Sequence, residues 1–105
     1  MPALSVSSIV TLAVFHVASE QRVPFCAAWQ ALCQAFLELP RPPSSAMTLI
    51  QSVEHPEVFQ SLGSWSALED VQAMRLDARI VPLMNAMVAL IQRAQPGEFL
   101  VLDAI

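Results

Sequence analysis

The chain has 105 residues, 55% of them hydrophobic and 13% charged, with a formal net charge of -4. That length suits one domain rather than two, and five Arg without any Lys leave no basic patch to neutralise phosphates, which argues against nucleic-acid binding. The longest apolar run, Ile80 to Ile91, carries Pro82 and Asn85 and falls short of the ~20 residues that span a bilayer; no basic leader region precedes the first strand, so a cytoplasmic location without a membrane partner is expected.

From Ile9 to Ala18 the sequence IVTLAVFHVA is β-branched and apolar on both alternating faces, the pattern of a strand covered on each side. Val10, Leu12, Val14 and His16 share one face; Ile9, Thr11, Ala13, Phe15 and Val17 share the other. His16 is the polar side chain set deep in its row. A core histidine with one backbone partner is the plainer reading, and a ligand or base is the functional one.

Pro24 suits the first turn of a helix that runs to about Leu39. Phe25, Trp29, Leu32, Cys33 and Phe36 recur at three and four residues and form its apolar stripe, while Gln30, Gln34 and Glu38 mark the wet side. Trp29 is expected to pack on a sheet. Cys26 and Cys33 lie ~10 Å apart along this helix axis, too far for a disulfide. Neither has a His or Cys at ligand spacing, so both are expected as small buried apolar residues and no metal is implied. Pro40, Pro42 and Pro43 stop the helix.

Ser45 to Val53 reads as a second strand with Met47, Leu49 and Gln51 on one face. A Glu54-His55-Pro56-Glu57 turn leads into a third strand from about Glu57 to Trp65, where Val58, Gln60 and Leu62 alternate with Phe59, Ser61, Gly63 and Trp65. Gly63 predicts a bulge or a close approach by another backbone. Ser66-Ala67-Leu68-Glu69 matches a capping box, after which Leu68, Val71 and Met74 face inward and Glu69, Asp70 and Gln72 outward. Asp77 can cap a further turn, and Pro82 restarts a helix that continues to about Ala94. Pro96-Gly97 ends it, and a last strand lies within Glu98 to Ile105.

The order strand, helix, strand, strand, helix, strand is the split β-α-β arrangement of an α+β ferredoxin-like domain, a four-stranded antiparallel sheet with helices on one face. The other face is also apolar. A second copy packed sheet to sheet would cover it, which agrees with the apolar composition and predicts a homodimer.

The run LIQSVEHPEVFQSLGSWSALEDVQAM, with Leu49, Gln51, Ser52, Glu54, Pro56, Phe59, Trp65, Ser66 and Glu69 at its marked positions, resembles the central segment of the antibiotic biosynthesis monooxygenase family of dimeric α+β barrels. The resemblance implies a dimeric barrel and an activity drawn from a set that includes cofactor-free quinol or anthrone monooxygenases, haem-degrading enzymes and isomerases. Members commonly carry a His nine residues after the Trp, where this chain has Met74, and haem-degrading relatives would place an axial His near Met84. A lone Met is a poor iron ligand, so no haem is expected. Tyr is missing altogether, which removes a phenol that could steady a quinol.

Three functions remain open on these residues. One is a cofactor-independent monooxygenase acting on a quinol or polycyclic aromatic, with Trp65, Phe59, Met74 and Gln51 around the substrate and His16 and Arg75 as base and anion partner. The second is a non-catalytic homodimer that binds a small apolar ligand, such as a small aromatic, in an adaptable Met-lined pocket or serves as an interaction module. The third is an isomerase of small lactone acids, which requires Arg75 or Arg79 to point inward.

Overall fold

The computed structural model describes residues 6–105. Its central strand is β1 (Ile9–His16), followed by a 3-10 turn over Ser19–Gln21 and helix α1 (Arg22–Phe36). The chain then forms β2 (Thr48–Gln51), β3 (Val58–Trp65), α2 (Leu68–Leu76), α3 (Ile80–Val88) and β4 (Arg93–Leu100). The sheet order is β2-β3-β1-β4 with every pairing antiparallel, the expected ferredoxin-like topology.

The two faces of β1 and β3 divide as their alternation predicts. Phe15, Val17, Phe59 and Trp65 point to one side and are buried with Phe25, Leu32 and Phe36 of α1, Val71 and Met74 of α2, and Ile80 and Met87 of α3. Phe25 meets Phe15 edge-on at 5.6 Å and Phe59 at 5.2 Å between ring centroids. Such aromatic pairs add to plain area burial. The opposite face carries Val10, Leu12, Val14, Val58 and Leu62, all half-buried, beside the exposed Ile50 and Phe99.

Several local expectations fail for identifiable reasons. The helix over Pro82 stops at Val88, and the last strand begins at Arg93, so Pro96 and Gly97 lie inside β4 instead of ending a helix. Ladder pairing with β1 from Ile9↔Leu100 to His16↔Arg93 overrides the local helical pattern, and an edge strand tolerates Pro because alternate N–H groups face away from the sheet. The second strand is shorter than its apolar alternation because side chains replace the ladder at its start: Ser45 Oγ accepts the Ser64 N–H at 3.0 Å. No capping box forms, since the residue before α2 is Ala67 and no side chain caps it. Asp70 is buried instead of facing water, 3.7 Å from the guanidinium of Arg41. Asp77 closes the turn that leads into α3, its Oδ1 accepting the Arg79 N–H at 2.8 Å, and the Arg79 side chain bound to it holds its carboxyl below the usual range.

Gly63 sits in regular register opposite Thr11, without a bulge. What approaches it is a side chain: a Cβ added there would stand 2.0 Å from Met47 Sδ. At the end of the same strand Trp65 is fully buried, its Nε1–H donates to Thr11 Oγ1 at 3.0 Å, and its ring meets Phe36 edge-on at 5.5 Å. Leaving an indole N–H or its acceptor unpaired in such a place costs roughly 1–3 kcal/mol. Trp65→Phe and Thr11→Val should each lower the urea-unfolding free energy by about that much, and the double variant should cost less than the sum of the singles.

Candidate functional site

A cavity of about 410 Å³ opens between the helical layer and the sheet. Its floor is Thr11, Ala13 and Phe15 of β1, Ser61 of β3, and Ala94 and Pro96 of β4. Its roof is Trp29, Leu32, Cys33 and Phe36 of α1, Met74 and Arg75 of α2, and Met84, Met87 and Val88 of α3, with Met47 closing one side. The volume lies in the range of small-molecule sites. Four thioethers, Met47, Met74, Met84 and Met87, make the wall compliant.

The local sequence explains each placement. Cys33 and Phe36 follow Trp29 at helical spacing, so one stripe of α1 roofs the cavity. On the floor, Thr11, Ala13 and Phe15 alternate along β1 on one face. The two floor hydroxyls are already engaged: Ser61 Oγ accepts the Trp29 Nε1–H at 2.9 Å, and Thr11 Oγ1 accepts that of Trp65. Trp29 thereby ties α1 to β3, which is the sheet packing expected of it.

Of the site candidates His16, Gln51, Phe59, Trp65, Met74 and Arg75, Met74 and Arg75 line the cavity and the other four do not. Trp65 and Phe59 face the helices yet are packed solid beside it, behind Phe36 and Phe25. Gln51 lies in the hairpin, where its Nε2 donates to the Pro56 carbonyl at 2.7 Å. His16 shares the helix-free face with Val10, Leu12 and Val14, because strand parity sends it away from Phe15. Its side chain has no part in the cavity wall, which removes it as a base there. Arg79 is held by Asp77 and by the Glu38 carbonyl, and it is not among the lining residues.

Trp29, Cys33, Met47, Met84 and Met87 line the cavity as well. The α1 stripe already contained the first two, and only their distance from β1 decides that they border space instead of core. Among the described lining residues Arg75 is the one charged side chain. Its Nη1 donates to Glu98 Oε1 across the gap between α2 and β4. Both side chains are partly exposed, at 41% and 28%, and a pair of that kind contributes about 0.2–1 kcal/mol. The described residues hold no cluster of three or more metal-ligating His, Cys, Asp or Glu side chains.

Burial pushes the Cys33 thiol up to about 12 from its ordinary 9.0. The thiolate is the reactive form, so Cys33 is chemically quiet near neutral pH. At pH 8 its alkylation by iodoacetamide should be on the order of 10²–10³-fold slower in the folded protein than in urea. Timed quenching and mass spectrometry of the peptide carrying Cys33 measures this, and equal rates would count against its burial.

No protein-family model matches the sequence, and no curated protein matches it. Solved structures do. SnoaB from Streptomyces nogalater, a cofactor-independent oxygenase, superposes with a TM-score of 0.82 at 14% identity, covering 94% of this chain and 97% of that one. A candidate antibiotic biosynthesis monooxygenase from Nitrosomonas europaea gives a TM-score of 0.77 at 13% identity, with 94% of each chain covered. Rv0793 from Mycobacterium tuberculosis gives 0.77 at 13%, covering 93% of this chain and 98% of that one. The chain therefore shares the α+β ferredoxin-like fold of these structures, among them a candidate antibiotic biosynthesis monooxygenase. Among the described residues no helix is long and apolar enough to cross a membrane.

Proposed function

We propose that this chain is a cytoplasmic homodimer of single-domain subunits that binds a quinol or polycyclic aromatic in the cavity between its helices and sheet and oxygenates it without a cofactor. The observation that carries the proposal is the 410 Å³ apolar cavity under α1, α2 and α3, in a fold shared with a cofactor-independent oxygenase. An electron-rich aromatic carrying an activated CH₂ reduces O₂ itself once deprotonated. The CH₂ is oxidised to C=O, one oxygen atom enters the product and the other leaves as water, so no further reductant is needed. The protein's part is to enclose the substrate, exclude water and stabilise the anion. Met74 and Trp29 hold the ring system, and Arg75 supplies the positive charge.

A second reading is a dimer that binds such a ligand without turning it over. It is favoured by one observation: no imidazole or carboxylate stands among the described lining residues to act as a base. Anthrone should quench tryptophan fluorescence, and Trp29→Phe should abolish most of the quenching while Trp65→Phe retains it, because Trp29 borders the cavity and Trp65 does not. Oxygen consumption with anthrone in metal-free, flavin-free buffer supports the monooxygenase. Quenching without oxygen uptake supports the binding protein, and no quenching removes both.

The dimer has its own test. The half-buried Val14 and Leu62 belong to the helix-free face that a second copy would cover. Light scattering at micromolar concentration should give twice the chain mass, and Val14→Asp should give monomers, since a charge at the centre of a standard interface of ~1,600 Å² is strongly disruptive. A wild-type monomer would remove the barrel.

A further inference from the structure

Resting on the reading of the cavity as a ligand site, we infer that the Arg75–Glu98 pair is an exchangeable charge gate that selects ligands bearing a carboxylate on an apolar body, the ligand's carboxylate replacing Glu98 on the Arg75 guanidinium.

Arg75 stands in the last turn of α2, and Glu98 lies on β4 opposite Thr11, on the face of the sheet that forms the cavity floor. Asp77 is nearer to Arg75 in sequence but is taken by the Arg79 side chain. Arg75 therefore reaches across the gap to Glu98 instead of pairing along its own helix end. The ion pair joins the two elements between which the cavity opens. Partly exposed ion pairs contribute little to stability, so this one exchanges readily. A guanidinium has five donors in a planar fork and can take a second carboxylate as it releases the first.

The rest of the wall sharpens the selection. The floor hydroxyls of Thr11 and Ser61 already accept indole N–H groups. The Cys33 thiol is neutral, and the remaining lining is largely aliphatic, aromatic or thioether. A ligand with several polar groups would leave most of them unpaired, whereas one apolar body with a single acid at its end meets a partner for each part.

The probes are anthracene-2-carboxylate and its neutral counterpart anthracene-2-carboxamide, with Kd measured at pH 7.5 by equilibrium dialysis. Wild type should bind the carboxylate at least about tenfold more tightly than the carboxamide. Arg75→Gln should abolish that preference, and Arg75→Lys should restore only part of it because an ammonium lacks the fork. Glu98→Gln should enlarge the preference, since the competing carboxylate is gone. Equal Kd values for the two probes on wild type, or a preference that survives Arg75→Gln, would overturn the gate while leaving the cavity reading intact. Failure of both probes and of anthrone to bind would overturn the ligand site and the gate together. If Arg75→Gln does not fold by circular dichroism, Glu98→Gln decides alone: an unchanged preference there also overturns the gate.

Discussion

Two indole N–H groups hold the molecule together where its layers meet. Trp65, at the end of β3, donates to Thr11 on β1, and Trp29, on α1, donates to Ser61 on β3. A buried indole must find an acceptor, and each finds a hydroxyl at the next strand or layer, so the helix, β3 and β1 are tied in one chain of contacts. Phe36 closes the arrangement from α1 by meeting the Trp65 ring edge-on. The spacing of α1 above the sheet is thereby set by rigid aromatic side chains rather than by interdigitating aliphatic ones.

That spacing is what leaves room for a cavity. Around Phe25, where rings meet β1 and β3 directly, the layers are packed solid. Toward α2, α3 and β4 the wall is made of Met, Cys and Pro side chains that border open volume. Gly63 contributes by lacking a side chain, since Met47 occupies the space its Cβ would need. Met47 reaches that place because Ser44 and Ser45 bind Ser64 through hydroxyl and backbone groups and fix the approach to β2.

The electrostatics of the molecule follow from its low charge density. With few charged groups available, two of the three described ion pairs fasten elements that backbone hydrogen bonds do not join: Arg41 of the proline-rich loop to Asp70 of α2, and Arg75 of α2 to Glu98 of β4. Asp77 and Arg79 pair locally and serve the start of α3. Among the described ion pairs, Arg75–Glu98 is the one with a member, Arg75, in the cavity wall.

The sequence by itself determined the element order, the sheet's two faces and the helical stripes, because period-2 and period-3.6 patterns are local and survive in one dimension. It put Phe15 on the β1 face opposite His16, and Phe59 with Trp65 on one face of β3, for that reason; which of the two faces the helices cover was settled by the packing. What it could not determine was the end of α3 and the start of β4, where a helical pattern from Leu90 to Ala94 gives way to pairing with β1. Misplacing that boundary hid the face of Glu98, and with it the partner of Arg75. Nor does periodicity distinguish a side chain that borders empty volume from one that fills it. Trp29 and Trp65 both carry the signature of a buried aromatic, yet one lines the cavity and the other is core. Only the separation of layers in three dimensions decides between them, because it depends on the sizes of all the side chains that meet there.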